Sequence, residues 1–389
     1  MGVVCSCQEK MIPVCAPLLE GNERKYVLDA LDTKWISSSG KYVERFEQEF
    51  SKYCDTKYGI SVTNGTTALH LALVSLGIGR GDEVIVPAFT MISSALAVCY
   101  TGAMPAFVDA EKETWNIDPE KIEEKITPKT KAIMVVHIYG HPCDMGPIME
   151  IAKKHNLKII EDAAESHGAE YNGKKCGSFG DVACFSFYAN KIITTGEGGM
   201  VITSDEGISE KCRYYKNLSF PLKGPRSYLH EDIGFNYRMS NLHAAIGLAQ
   251  TEKADEYVEM RRQNNSLYRK YLRDVEGLYF QAEKKGSKNV YWMNAVVIDP
   301  QKFGLTCDEL ANKLKAQGVD TRPLFKGMHM QPSLKKYGCD MEGEYPVTEW
   351  LSENGLYLPS GSGLREEQIK KICEIIKKIH KNESNIPSV

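Results

Sequence analysis

An α/β architecture built on a mostly parallel sheet is the fold class this sequence predicts, and three observations predict it. Short apolar runs rich in β-branched residues, GDEVIVP, MPAFVDA, TKAIMVVHIYG and LKIIEDAA, recur through the first half of the chain. Helical patterns such as Pro147–His155 separate them, so strand and helix alternate from Ser61 to Thr203 and helices cover both faces of the sheet. The third observation is length: 389 residues exceed one ordinary compact domain. The sequence therefore divides into a leader (1–11), a large domain (12–252), a smaller α+β domain (253–381) and a tail (382–389).

Taken in order, the elements carry chemistry at their ends. SVTNGTTALH (61–70) turns from a strand into a helix whose residues Leu69, Leu71–Leu73 and Leu76 read as buried, ending near Gly77. Gly65, Thr66 and Thr67 then stand at a helix N-terminus, where unpaired amides and the helix dipole favour an anion such as a phosphate. LKIIEDAAESHG (157–168) is a strand that ends in adjacent carboxylates. In open sheets ligands gather at the carboxyl ends of strands, which is where Asp162 falls; alone it reads equally as a helix cap or a surface acid. In FSFYANKIITTGEGG (185–199), Lys191 sits between a strand-like run (182–187) and a glycine-rich loop that leads to a second strand at Met200–Thr203. Its apolar flanks Phe187, Ile192 and Ile193 disfavour the ammonium, as an amine that attacks a carbonyl requires. A Schiff-base lysine paired with a strand-end carboxylate fits pyridoxal 5'-phosphate, whose pyridinium nitrogen needs a carboxylate to act as an electron sink. Beyond these, a long helix is expected over 241–262 with the domain boundary near Lys253, then a strand at 290–298 and a terminal helix at 366–380.

Composition narrows the function classes. A net charge of −3, with basic residues scattered, gives no footprint for nucleic acid. Apolar runs fall short of the roughly eighteen residues that cross a bilayer, so a cytoplasmic protein with no stable membrane insertion is expected. One motif bears on localisation: Met1–Ser6, MGVVCS, satisfies the N-myristoylation pattern, with Cys5 and Cys7 as palmitoylation sites. Two acyl chains would anchor the protein and one would bind marginally, while a chance match in a disordered leader is the plainer reading. The 12 cysteines are dispersed apart from Cys5 and Cys7, with no zinc spacing, so no metal site and reduced thiols are expected.

The motifs NGTTALHLAL, GDEVIVPAFT, TPKTKAIMVVHIYG, IIEDAAESHGA, FSFYANKIITTGEGGM and GFNYRMSNLHAAIGLAQ together resemble the DegT/DnrJ/EryC1/StrS family of pyridoxal-phosphate-dependent nucleotide-sugar aminotransferases. The likeness runs from about Ile12 to about Lys377 and implies the fold-type I, aspartate-aminotransferase-like architecture. DTKWISSSGKYVERFE, EDAAES, NKIITTGEGG and RPLFKGMHMQP resemble the perosamine-forming branch in particular. The resemblance implies that Lys191 carries the cofactor and Asp162 meets its ring nitrogen, with Glu165 approaching the ring hydroxyl. It makes Ser186 a phosphate ligand beside Gly65, Thr66 and Thr67, and puts Met91 where relatives stack an aromatic on the ring; Met91 as core filler is the alternative. Asn236 would reach the cofactor phosphate of the neighbouring subunit, giving a homodimer with shared sites, or else cap the helix near Ser240 or sit in a turn. Trp35 and Ser37 would cover the sugar, while Arg238 and His329 would meet the substrate; a domain-packing role for His329 is equally open.

The implied reaction converts GDP-4-keto-6-deoxymannose to GDP-perosamine with glutamate as amino donor. The alternatives are a UDP- or dTDP-4-keto-6-deoxyglucose 4-aminotransferase, a sugar 3-dehydratase and a non-catalytic ligand-binding relative. Lys191 opposes the dehydratase, whose best-known members have histidine there, and the complete set Asp162, Ser186 and Lys191 opposes the non-catalytic reading.

Overall fold

A computed structural model describes residues 11–225 and 227–384. Its main sheet is assembled from β1 (Tyr58–Val62), β2 (Glu83–Pro87), β3 (Met104–Val108), β4 (Thr130–Val136), β5 (Lys158–Asp162), β6 (Val182–Ser186) and β7 (Gly199–Thr203), in the spatial order β1-β7-β6-β5-β4-β2-β3. β7 alone is antiparallel to its neighbours, β1 and β6; the remaining pairings are parallel.

Side chains alternate across the pleat, so each strand feeds two cores. Val84 and Val86 pack with Met134, Ile160 and Cys184 under α1 (Gly65–Ser75), α2 (Ile92–Tyr100) and a helix at Glu206–Lys216. Ile85, Ile133 and Ile159 face the opposite way, onto Met145 and Ile148 of the helix Met145–His155. Phe185 and Ile202 complete that second face against Phe46 and Phe50 from the helix Lys41–Tyr53 and Leu248 from the helix Asn241–Thr251. Register sets the strand ends in line, with Val136 opposite Asp162, Asp162 opposite Cys184, and Gly199 opposite both Val62 and Ser186.

The helix expected over 241–262 is two helices, Asn241–Thr251 and Ala254–Leu272, with the break at Glu252–Lys253. Tyr268 and Leu272 of the second join the core of a four-stranded antiparallel sheet, in the order Leu278–Phe280, Asn294–Ile298, Gly355–Leu358, Arg322–Pro323. Helices Cys307–Ala316 and Glu366–Ser384 cover that sheet. The strand expected over 290–298 is confined to Asn294–Ile298. Residues 290–293 cannot extend it, because Tyr291 adopts a left-handed φ of 46° while its amide donates to Asn289 Oδ1. The terminal helix runs past His380 to Ser384. No described helix is long and apolar enough to cross a membrane, and the lipidation motif with Gly2, Cys5 and Cys7 lies outside the described residues.

Candidate active site

The carboxyl ends of β1, β2, β4, β5 and β6 open into a cavity of about 590 Å³ whose walls include Gly65, Thr66, Thr67, Met91, Asp162, Glu165, Ser186 and Lys191. A larger cavity of about 740 Å³, lined by Glu111, Asp118, His141 and Lys284 among others, contains none of them. Its polar groups are largely paired within the chain, as in Lys284 with Glu111 and Tyr171 with Asp144. The smaller cavity is therefore the one with chemistry to offer.

Lys191 follows β6 in a turn closed by its amide on the Tyr188 carbonyl (2.9 Å). Its Nζ lies 3.9 Å from Glu165 Oε1 and 3.6 Å from the centroid of the Trp292 ring. Burial lowers the Lys191 pKa, and the Glu165 and Asp162 carboxylates oppose that without cancelling it. Burial raises the Glu165 pKa, against the influence of Lys191 and of the Tyr139 amide, which donates to Glu165 Oε2 at 2.7 Å. Asp162 is also raised by burial, opposed first by Ser94, whose hydroxyl donates to Oδ2 at 2.7 Å, and then by the Ala164 amide on Oδ1. Burial thus lowers the proton affinity of the amine and raises that of the two carboxyls beside it.

The α1 N-terminus forms a cradle. Asn64 caps the helix, Oδ1 accepting from the Thr67 amide (2.9 Å) while Thr67 Oγ1 accepts from the Asn64 amide (3.2 Å). That capping box consumes the Thr67 amide. The anion donors at this helix start are then the Gly65 and Thr66 amides, which have no carbonyl within the helix to bond, together with the Ser186 hydroxyl. A Cβ on Gly65 would meet Ser186 Cβ at 2.8 Å and Oγ at 3.3 Å, so only glycine keeps the cradle open. Cradle, strand-end carboxylate and buried lysine fit pyridoxal phosphate at its phosphate, ring nitrogen and carbonyl carbon respectively.

Five residues of the expected set stand outside this wall. Trp35 and Ser37 are exposed, their carbonyls accepting from the Asn241 side chain and amide (both 2.6 Å). Arg238 forks onto Asn236 Oδ1 (3.1 and 2.8 Å). The helix near Ser240 is capped by Ser240 itself, so the capping reading of Asn236 fails. His329 stacks on Tyr345 (4.3 Å between ring centroids) with Nε2 3.3 Å from Glu349 Oε1, an arrangement of packing within the chain. Met91, 47% exposed on the cavity wall, is not core filler. The residues that the sequence did not single out are Ser94, Tyr139 and Trp292. Only the serine pair Ser93-Ser94 at a helix start was a visible signal.

Buried lysine, strand-end aspartate and anion cradle on this sheet define an aminotransferase-type pyridoxal-phosphate enzyme. The chain belongs to the DegT/DnrJ/EryC1/StrS aminotransferase family, whose sequence profile matches residues 17–377. It is 45% identical to a GDP-perosamine synthase of Escherichia coli O157:H7, over 95% of this chain and 99% of that one. It is also 45% identical to a GDP-perosamine synthase of Caulobacter vibrioides, over 95% and 98% of the two chains. The crystal structure of an aminotransferase from Psychrobacter cryohalolentis superposes with a TM-score of 0.88 at 33% identity, covering 95% of this chain and 99% of that one. The fold is thus that of the family's aminotransferases, and the cofactor is pyridoxal phosphate.

Proposed function

We propose that this enzyme converts GDP-4-keto-6-deoxymannose to GDP-perosamine with glutamate as amino donor. The observation that carries the substrate reading is the 45% identity, across nearly the whole of both chains, to enzymes named for that product. The site supports the reaction type. When bound, pyridoxal phosphate supplies an electron sink for moving an amino group from donor to keto carbon. Lys191, desolvated on the cavity wall, would take up and return the proton at its Nζ in both halves of the exchange. Asp162, held by Ser94 and the Ala164 amide, keeps a negative charge available to the ring nitrogen. Glu165 is fixed by the Tyr139 amide at the edge nearest Lys191, where its raised pKa leaves it able to donate or accept a hydrogen bond to the ring hydroxyl. The Gly65 and Thr66 amides and the Ser186 hydroxyl would hold the cofactor phosphate.

Substrate contacts are assigned across a two-fold axis. Trp35, Ser37, Asn236 and Arg238 lie outside the cavity of their own chain, and the 218–238 region also presents Tyr228, Leu229 and Ile233 at 77%, 84% and 87% exposure. Apolar exposure of that size suits a partner surface. In a homodimer these residues complete the other chain's site, where Arg238 offers a planar fork to a diphosphate.

The deciding measurement is kcat/KM for a panel of nucleotide keto sugars with glutamate. GDP-4-keto-6-deoxymannose is expected to lead the UDP- and dTDP-4-keto-6-deoxyglucose reactions by about tenfold or more, as hydrogen-bonded base recognition allows. A larger constant with either glucose-derived substrate would make this a viosamine-forming enzyme.

A further inference from the structure

The turn that carries Lys191 is gripped by a closed circuit of side chains from three distant parts of the chain. The Asn190 carbonyl, one peptide before the lysine, accepts from Trp292 Nε1 at 2.9 Å and from Cys15 Sγ at 3.5 Å. Arg261 closes the circuit, donating from Nη1 to the Trp292 carbonyl (2.8 Å) and from Nη2 to Cys15 Sγ (3.4 Å). Trp292 and Arg261 are 3% and 1% exposed, so both contacts are dry. The indole also covers Nζ at 3.6 Å and runs nearly parallel to the Tyr139 ring, at 12° with 6.2 Å between centroids.

The backbone around Trp292 is held in an unfavourable form. Tyr139 and Tyr291 adopt left-handed φ values of 53° and 46°, a region that bulky side chains avoid. Gly140 touches the same segment so closely that a Cβ would fall 2.8 Å from Val290 Cγ2 and 3.0 Å from the Trp292 amide nitrogen. Such outliers persist where surrounding structure over-determines them, and here they fix the indole against the lysine.

We propose that Trp292 is a positioning residue for Lys191, its N–H fixing the turn that carries the lysine and its ring face favouring the ammonium whenever the amine is free of the cofactor. The proposal rests on Lys191 being the cofactor lysine. Four other groups act on the same nitrogen: the Glu165 and Asp162 carboxylates and the Cys15 sulfur favour the ammonium, and the Arg261 guanidinium disfavours it. Trp292 adds to the first set without introducing a charge, since a cation over an indole face is attracted to the ring quadrupole, most strongly away from water.

The test uses the full-length chain stripped of cofactor. Trace acylation with acetic anhydride across pH, read on the Lys191 peptide by mass spectrometry, gives the midpoint at which that amine loses its proton. Trp292→Leu is expected to move the midpoint to lower pH by about one unit, a tenfold loss of proton affinity worth about 1.4 kcal/mol. Trp292→Phe, which keeps a weaker face and loses the N–H, is expected to move it about a third as far and to weaken binding of added pyridoxal phosphate about tenfold. A midpoint unchanged in both variants, or moved to higher pH in either, overturns the proposal. If the leucine variant does not fold, the phenylalanine variant alone decides. Borohydride reduction of the loaded wild-type enzyme tests the underlying assignment separately, because cofactor fixed on another lysine would sink the role of Lys191 without altering the measured midpoints.

Discussion

Glu165 is the residue whose charge should be read most directly at Lys191. Its carboxylate lies 3.9 Å from Nζ and favours the ammonium, so Glu165→Gln removes a stabilising charge and the Lys191 pKa, already below the ordinary lysine value, falls further. The expected outcome is an acylation midpoint for Lys191 at lower pH than in the wild type; an unchanged midpoint would show that burial alone sets it and that the carboxylate does not act on Nζ. Asp162 makes the second residue-scale case. Ser94→Ala takes away the largest influence holding its carboxyl ionised, so burial raises the Asp162 pKa further and pairing with the ring nitrogen weakens. A charge-assisted hydrogen bond of about 1.5–3 kcal/mol implies roughly a tenfold to hundredfold loss of cofactor affinity, measurable by absorbance titration. The sequence displayed Asp162 and Lys191 because each sits at the end of a recognisable strand. Ser94, Tyr139 and Trp292 were hidden because their roles arise from contacts across the fold: Ser94 meets Asp162 from the helix Ile92–Tyr100, and Trp292 reaches Lys191 from the loop that precedes the strand Asn294–Ile298 of the second sheet.

At the scale of elements, strands and helix starts were legible and the irregular pieces were not. The turn from β1 into α1 was readable because NGTT combines a cap, a glycine and two hydroxyl residues ahead of an apolar helix. The break at Glu252–Lys253 was not, since no proline or glycine marks it. Gly65→Ala tests the cradle: with its Cβ against Ser186, the phosphate site fills, and cofactor binding should fall at least about a hundredfold while the far-ultraviolet circular dichroism stays unchanged. Glu47 tests how the helix Lys41–Tyr53 is tied to the sheet. Burial alone would raise its pKa, but Lys216, Arg213 and the Ser61 amide outweigh burial and bring it down to about 2. A carboxyl lowered from 4.5 to about 2 contributes on the order of 3 kcal/mol, fully present above pH 4.5 and lost as pH falls toward 2. Glu47→Gln should therefore lower the melting temperature at pH 7 and flatten its dependence on pH between about 5 and 2, as followed by thermal denaturation in that range.

For the whole molecule, the question is why Asn236 and Arg238, proposed here as phosphate and substrate contacts, lie outside the cavity of their own chain. Asn236 is exposed, its side chain accepting from Arg238, and the helix it was in reach of capping is served by Ser240 instead. A single sequence cannot separate a residue that serves its own site from one that serves a partner's, because both give the same linear motif. Subunit mixing can. Lys191→Ala abolishes the lysine of one site, and Asn236→Ala weakens the phosphate contact of whichever site Asn236 completes. If that site is the partner's, a mixed dimer contains one site with both defects and one site with both native residues. Activity then returns toward half of the wild-type value per mixed dimer, and borohydride fixes cofactor on the Asn236→Ala chain alone, since it keeps Lys191. If Asn236 serves its own chain, each site of the mixed dimer keeps one defect and the mixture is no more active than the Asn236→Ala enzyme. Restored activity after subunit exchange would establish the shared site; no recovery, with exchange demonstrated by mass, would return Asn236 to the surface of its own chain.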